Sequence, residues 1–226
     1  MEGIYKYFIK TIRGRNLIHK KTQLTHTKTL VKEKCMSKQA KTLTPAELRR
    51  VLDYVATRKH AARNRAMLLT TYYAGLRVGE AASLRLSDVI DASGSIRNEV
   101  RLSAAQTKGG NARTVFINEK LRKELETYIK FYNSNNLQHK LFYSQKKNSD
   151  GFTANTMTQF FHYLYRRAGV EGATSHSGRR TFITNLASKG VGVRVLMSLA
   201  GHRNISTTQA YIDVNDEMKR MAVELA

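Results

Sequence analysis

The sequence predicts a mainly α-helical domain carrying one small antiparallel β-sheet, an α+β fold. Three observations predict it: a helix-opening signature at Thr44, helical spacing of apolar residues through most later segments, and one pair of short strand-like runs around a glycine pair. Thr44, Pro45 and Glu47 make a capping box, with proline at the first helical position, and Leu48, Val51, Leu52 and Val55 follow on one face. A second helix is expected from Ala61 to Ala74, broken by Gly75, and a short one from Gly79 to Leu84. Glu99 to Ser103 and Thr114 to Ile117 read as a hairpin, because the loop QTKGGNAR between them holds two glycines that tolerate positive φ. Helical spacing then returns at 119–132, 154–168, 176–189, 192–200 and 205–213, with no internal repeat and no low-complexity tract.

A chain of 226 residues with 41% hydrophobic content can bury one good core. Its charge points outward: 39 Lys and Arg against 17 Asp and Glu leave a formal +22, which predicts a polyanionic partner. Residues 1–41 hold eleven of the basic residues and two acids without a sustained apolar period, and read as a flexible basic arm. Residues 42–226 still carry +13, so the folded body has a polyanion-facing surface of its own. A protein that only coats nucleic acid would satisfy the charge equally well. Met36 opens a stretch that would serve as a natural start. Cys35 is the only cysteine, which excludes an intramolecular disulfide and a thiolate metal cluster within one chain. The N-terminal stretch lacks a signal-peptide pattern, and no apolar run approaches a membrane span, so a soluble cytoplasmic, nucleoid-associated protein is expected.

No Walker phosphate loop, HExxH, GxSxG or cysteine and histidine cluster at metal spacing is present, and neither a metal nor a cofactor is expected. Four segments instead offer groups suited to a phosphodiester. In YYAGLRVGEAASL, Arg77 sits in a break between helices, where a permanently charged guanidinium can grip two phosphate oxygens. Glu80, three residues on, can orient Arg77 or act as an ordinary first-turn acid. In TSHSGRRTFITNLA, His176 and Arg179 share one helical face near its start, while Phe182, Ile183 and Leu186 supply the apolar side. In LMSLAGHRNISTTQAYI, His202 follows a helix-ending Gly201, and Tyr211 lies nine residues further. At the hairpin tip, Lys108 precedes Gly109 and Gly110 and can reach into a DNA groove. Each group taken singly has an ordinary reading as surface charge, and Tyr211 is one tyrosine of eleven.

Taken in order, the four segments resemble the tyrosine recombinase, or phage integrase, family: an arginine in a GLRxGE-type turn, a hairpin lysine, an HxxR pair, a GH-type histidine and a tyrosine nine residues later. The resemblance covers 42–226 and implies the catalytic-domain fold of that family. This chain departs from the family's frequent pattern at Gly178, Arg180 and Ala200, where leucine, histidine and leucine are common. The resemblance implies a site-specific recombinase or integrase of the mobile-element kind, cleaving and rejoining double-stranded DNA through a 3′-phosphotyrosyl intermediate without ATP or metal. Tyr211 is the implied nucleophile, Arg77 and Arg179 the phosphate ligands, His176 the base, His202 a hydrogen-bond donor to phosphate and Lys108 the acid. The implied partner assembly is a homotetramer on two duplexes, with a monomer free in solution and accessory DNA-bending proteins. Most relatives carry a separate DNA-clamping domain before the catalytic one, whereas the expected domain here is preceded by the arm alone. The tail positions Met218, Met221, Ala222 and Leu225, at helical spacing, either cap the protein's own core or dock on a neighbour. Type IB topoisomerase-like relaxation and noncatalytic DNA-binding regulation are the alternatives.

Overall fold

The computed structural model describes residues 40–132, 136–145, 149–212 and 216–224. The basic arm, but for its last two residues, lies outside them. Helix α1, Pro45–Ala56, opens as its sequence dictates: Thr44 Oγ1 accepts from the Glu47 N–H at 3.2 Å and the Glu47 carboxylate accepts from the Thr44 N–H at 3.0 Å. A cap of this kind stabilises by about 1 kcal/mol. Leu48, Val51 and Val55 bury against the centre of the domain.

That centre is α2, Ala61–Tyr73, whose Ala66, Met67, Leu68 and Leu69 are all buried. It packs against α5, Glu119–Lys130, through Leu121, Leu125 and Tyr128, and against α7, Ser177–Ser188. A helix covered on several sides loses its one-faced pattern. Helix α3, Val78–Ser83, packs on α6, Ala154–Arg167, whose Met157, Phe161, Leu164 and Tyr165 close the core from the other side. A one-turn helix, α4, Leu86–Val89, was too short to leave a periodic signature.

The hairpin pairs β1, Glu99–Leu102, with β2, Arg113–Phe116, in the register Glu99 to Phe116. Val100, Leu102 and Val115 bury on the inner face. The loop between is folded rather than open: a 3₁₀ turn, Ala104–Gln106, is followed by a turn in which Thr107 Oγ1 donates to Asn111 O at 2.8 Å.

Helices α8, Val193–Ala200, and α9, Ile205–Gln209, complete the region around the hairpin tip. Here the structure corrects one expectation. The helix predicted over 205–213 ends at Gln209, and Tyr211 stands in the turn after it, with Tyr211 N bonded to Thr208 O at 3.0 Å and Ile212 N to Gln209 O at 2.9 Å. These three-residue bonds tighten the chain out of α-helix, and the β-branched Ile212 does not favour its continuation. Helix α10, Asp216–Val223, carries the spacing read from the tail; the side chains of Met218 and Met221, and Leu225 altogether, lie outside the described residues.

Candidate active site

Gly75 ends the approach of α2 in the left-handed region, φ 61°, where only glycine is relaxed. A Cβ there would also lie 2.4 Å from Phe182 Cδ1, so the turn and α7 are in close contact. The turn delivers Arg77 to the N-cap of α3. Glu80 does both jobs open to it: one carboxylate oxygen accepts from the Arg77 N–H at 2.8 Å and the other from the Arg77 guanidinium at 2.8 Å.

Glu80 is 1% exposed and also holds a residue that sequence reasoning missed. Arg113, the first residue of β2, donates through Nη2 to Glu80 Oε2 at 2.7 Å and through Nε to Oε1 at 3.3 Å. Burial pushes the Glu80 carboxyl up, but the hydrogen bond and charge of Arg113, joined by the Arg77 backbone N–H and charge, hold it below its usual range. It is therefore a fixed anion between two cations.

The third guanidinium, Arg179, is 4% exposed and among the described residues reaches no carboxylate. It donates to Gly75 O at 2.7 Å, to Ala200 O, and to His202 Nε2 at 2.9 Å. Three successive carbonyls at the end of α8 each receive one arginine: Leu199 O from Arg113 at 2.8 Å, Ala200 O from Arg179, and Gly201 O from Arg77 at 3.1 Å. A helix C-terminus leaves such carbonyls unpaired and carries the negative end of the helix dipole, so it suits a cluster of cations. Gly201, at φ 60°, turns the chain there, and a Cβ on it would meet Arg113 Cδ at 2.5 Å. Burial, with Arg77 and Arg113 nearby, pushes the Arg179 guanidinium down to about 9, which leaves it charged at neutral pH.

His202 sits in the α8–α9 connection. Because a guanidinium can only donate, His202 Nε2 is the acceptor of the Arg179 bond, and Nδ1 carries the proton given to Thr208 Oγ1 at 2.9 Å. Burial and the charges of Arg179, Arg77 and Arg113 push His202 down to about 4, so the neutral imidazole is its form at pH 7. The Tyr211 ring stacks on that imidazole, centroids 5.7 Å apart and planes 24° apart. Arg180 lies against the same tyrosine ring, its Cζ 5.2 Å from the centroid.

The first turn of α7 explains two departures read from the sequence. Gly178 lies so close to α2 that a Cβ would stand 2.3 Å from Thr71 Oγ1, so glycine is what lets α7 approach and Arg179 reach the carbonyls. Arg180 turns its side chain to Tyr211. His176 stands at the N-cap of α7, exposed; partial burial and the charges of Arg179, Lys108 and Arg77 push it down. Lys108 lines, with Arg77, Arg113, His202, Arg203 and Thr207, an open pocket of about 600 Å³. Arg203 donates to Gly109 O and so ties the hairpin tip to this pocket. The structure thus pairs Arg77 with Glu80, puts Arg179, His202 and Tyr211 in contact, links the two groups through successive carbonyls at the end of α8, places Lys108 in the pocket lining, and sets His176 within electrostatic reach of Arg77, Lys108 and Arg179.

The described residues form a helical domain with one hairpin, three guanidiniums on a helix end and a tyrosine stacked on the histidine beside them. The chain belongs to the phage integrase family, whose profile matches residues 41–218. It is similar to tyrosine recombinase XerA of Thermococcus kodakarensis, 34% identical over 187 residues that make up 82% of this chain and 62% of that protein. Transposase A from transposon Tn554 of Staphylococcus aureus is 28% identical over 218 residues, 92% of this chain and 59% of the other. The chain spans about three fifths of the length of these relatives. Among solved structures, that of XerA recombinase aligns with a TM-score of 0.64 at 26% identity, covering 81% of this chain and 64% of the other. The Tn1549 transposon integrase shares the fold with a TM-score of 0.66 at 21% identity, over 82% of this chain and 65% of its own. Among the described residues no helix is long and apolar enough to cross a membrane.

Proposed function

We propose that this chain is a tyrosine site-specific recombinase that breaks and rejoins double-stranded DNA through a 3′-phosphotyrosyl link to Tyr211. One observation carries the reading: Arg77 and Arg179 converge on the α8 C-terminus beside His202, and His202 stacks on Tyr211. The Tn1549 integrase of similar fold was solved in complex with circular intermediate DNA, and XerH recombinase bound to its difH substrate, which supports DNA as the partner.

In the first step Tyr211 Oη attacks phosphorus, the bond from phosphorus to the 5′-oxygen breaks, and the 5′-hydroxyl leaves; a 5′-hydroxyl from a partner strand reverses the step. The phenolic proton passes to His176, and Lys108 supplies the proton taken by the 5′-oxygen. Arg77 and Arg179 stabilise the charge that grows on the nonbridging oxygens, each worth about 3 kcal/mol, roughly a hundredfold in rate, by analogy with single oxyanion donors. One phosphodiester is exchanged for another of similar energy, so the chemistry draws on no ATP, and the guanidiniums do charge work for which no metal is required. His202 holds its Nε2 lone pair toward Arg179. It becomes a donor to phosphate only after taking a proton, which an arriving anion favours. Exchange between two duplexes calls for four copies of the chain on DNA, with accessory bending proteins an open addition.

The test is a duplex nicked near the cleavage point, so that the released fragment diffuses away and the adduct accumulates. The protein is expected to form an SDS-resistant complex with equal yield in EDTA. Tyr211→Phe is expected to bind the duplex and form none; an adduct surviving that substitution overturns the assignment. Plasmid relaxation without recombinant product would place the chain with topoisomerases instead.

A further inference from the structure

The mechanism above leaves the Tyr211 ring between groups whose roles are unequal. His202 stacks on it, yet its Nε2 is taken by Arg179 and its Nδ1–H by Thr208, so it has no site free to exchange a proton with the phenol. Arg179 feels the Tyr211 charge but gives three of its five N–H donors to Gly75 O, Ala200 O and His202. Among the described residues the charged group in contact with the ring is Arg180, with Cζ 5.2 Å from the centroid, inside the range in which a guanidinium is attracted to an aromatic face. It is half-buried, and no carboxylate pairs with it among the described residues. Adjacent positions on a helix diverge by about 100°, which is how α7 aims Arg179 at the α8 C-terminus and His202 and Arg180 at the Tyr211 ring.

We propose that Arg180 is a positioning residue for the nucleophile: its guanidinium holds the Tyr211 ring on His202 and favours the negative charge that gathers on the phenol oxygen as it attacks. The inference rests on Tyr211 being that nucleophile. A cation attracts a phenolate more strongly than a neutral phenol, so the contact strengthens on the way to the transition state and accelerates the step instead of merely ordering the ring. Sequence reasoning treated Arg180 as a departure from the family's pattern; the structure gives it a partner.

The experiment uses the full chain on the nicked duplex at saturating DNA, in single turnover, from pH 6 to 10. The charged or titratable groups that bear on the phenol among the described residues are Arg179 and Arg180 from α7, His202 from the α8–α9 connection, and His176 at the α7 N-cap, the proposed base, which burial and neighbouring cations push down. Arg180→Gln is expected to slow adduct formation about tenfold, within the factor of about 2 to 30 that a cation over an aromatic ring supplies. The deficit should shrink as pH rises, because hydroxide then does what the cation did. It should also shrink when residue 211 is 3-fluorotyrosine, a more acidic phenol, and Arg180→Lys should recover part of the rate. A structural role would slow both phenols equally at every pH. Arg180→Gln at the full rate, a deficit independent of pH and of fluorination, or Arg180→Lys no better than Arg180→Gln each overturns the proposal; the Lys variant and the fluorinated chain keep it testable should the Gln variant misfold. Tyr211→Phe run alongside separates the two readings, since an adduct there overturns the nucleophile itself, whereas its loss with Arg180→Gln unimpaired overturns only the role of Arg180.

Discussion

Replacing Glu80 with glutamine removes a charge and turns one acceptor into a donor while keeping the shape. The carboxylate oxygens each take two hydrogen bonds, Oε1 from Arg77 Nη1 and Arg113 Nε, Oε2 from the Arg77 N–H and Arg113 Nη2. Either orientation of the amide sets its NH₂ against two donors, so two charge-assisted bonds are lost whichever way it turns. At roughly 1.5–3 kcal/mol for each such bond the cost is about 3–6 kcal/mol, consistent with the roughly 3–5 kcal/mol for stranding one side of a buried ion pair. For a folded body of this size about 4 kcal/mol lowers Tm by roughly 12 °C. Differential scanning calorimetry of Glu80→Gln and the parent measures this directly. The effect should be coupled: once Arg113 is replaced by methionine, the further loss from Glu80→Gln should be smaller by 1 kcal/mol or more, because one of the two stranded cations is gone. Adduct formation should fall at least tenfold even well below Tm, since Arg77 loses one of its two bonds to residue 80 together with the charge that fixes its guanidinium. A Tm drop under about 3 °C would refute the view that this anion organises the guanidiniums.

Three other outcomes test the same cluster. His202 has a folded pKa near 4 against an ordinary 6.5, so the unfolded chain takes up its proton first; the stability it contributes is fully present above pH 6.5 and is lost as pH falls from 6.5 towards 4. His202→Gln should flatten the urea-measured stability profile in that window, and an unchanged slope would contradict the neutral imidazole, His176 adding a contribution of the same sign. Gly201→Ala forces a left-handed alanine at a cost of about 1–2 kcal/mol and pushes a methyl into Arg113, so denaturation should show at least that loss; parent-like stability would deny the close approach. Lys108→Ala should be slow on ordinary DNA and recover when the 5′-bridging oxygen is sulfur, a leaving group that needs little protonation, and a failure to recover would remove Lys108 from the acid role.

The helices were legible wherever a local rule governs them. Thr44, Pro45 and Glu47 mark a helix start with no help from the fold, and the boundaries of α2, α6, α7 and α8 fall within a residue or two of the spacing that predicted them. Tyr211 escaped its expected helix because tight three-residue bonds ended α9 early, which apolar spacing does not report. Arg77, His176, Arg179, His202 and Tyr211 could be named from motif order. Arg113 could not: its partners, Glu80 and Leu199 O, are 33 and 86 residues away, and one is a backbone carbonyl, which has no letter in a sequence. Gly178 and Arg180, departures from the family's frequent pattern, fit their surroundings in this fold, the one against Thr71 and the other on Tyr211.

The charge at the site bears on why three arginines gather where, among the described residues, only one acid, Glu80, pairs with two of them. Arg77, Arg113 and Arg179 with Glu80 leave a net charge of two positive among themselves, Lys108 in the pocket and Arg180 on the Tyr211 ring add further positive charge, and His202 is neutral at pH 7. A phosphodiester carries one negative charge; once the phenol has surrendered its proton and attacked, the five-coordinate phosphorus group carries two. On the proposed mechanism the preorganised positive charge exceeds what the bound substrate neutralises and gains from the second negative charge of the transition state, which is the differential interaction that lowers a barrier. The carbonyls of Leu199, Ala200 and Gly201 keep the arginines apart and in place without cancelling that charge, as a second carboxylate would. Adding one should reveal the difference: Ser198→Asp, at the rim of the pocket, should leave Tm nearly unchanged while slowing adduct formation at saturating DNA, and an unaltered rate would detach the chemistry from the site's net charge.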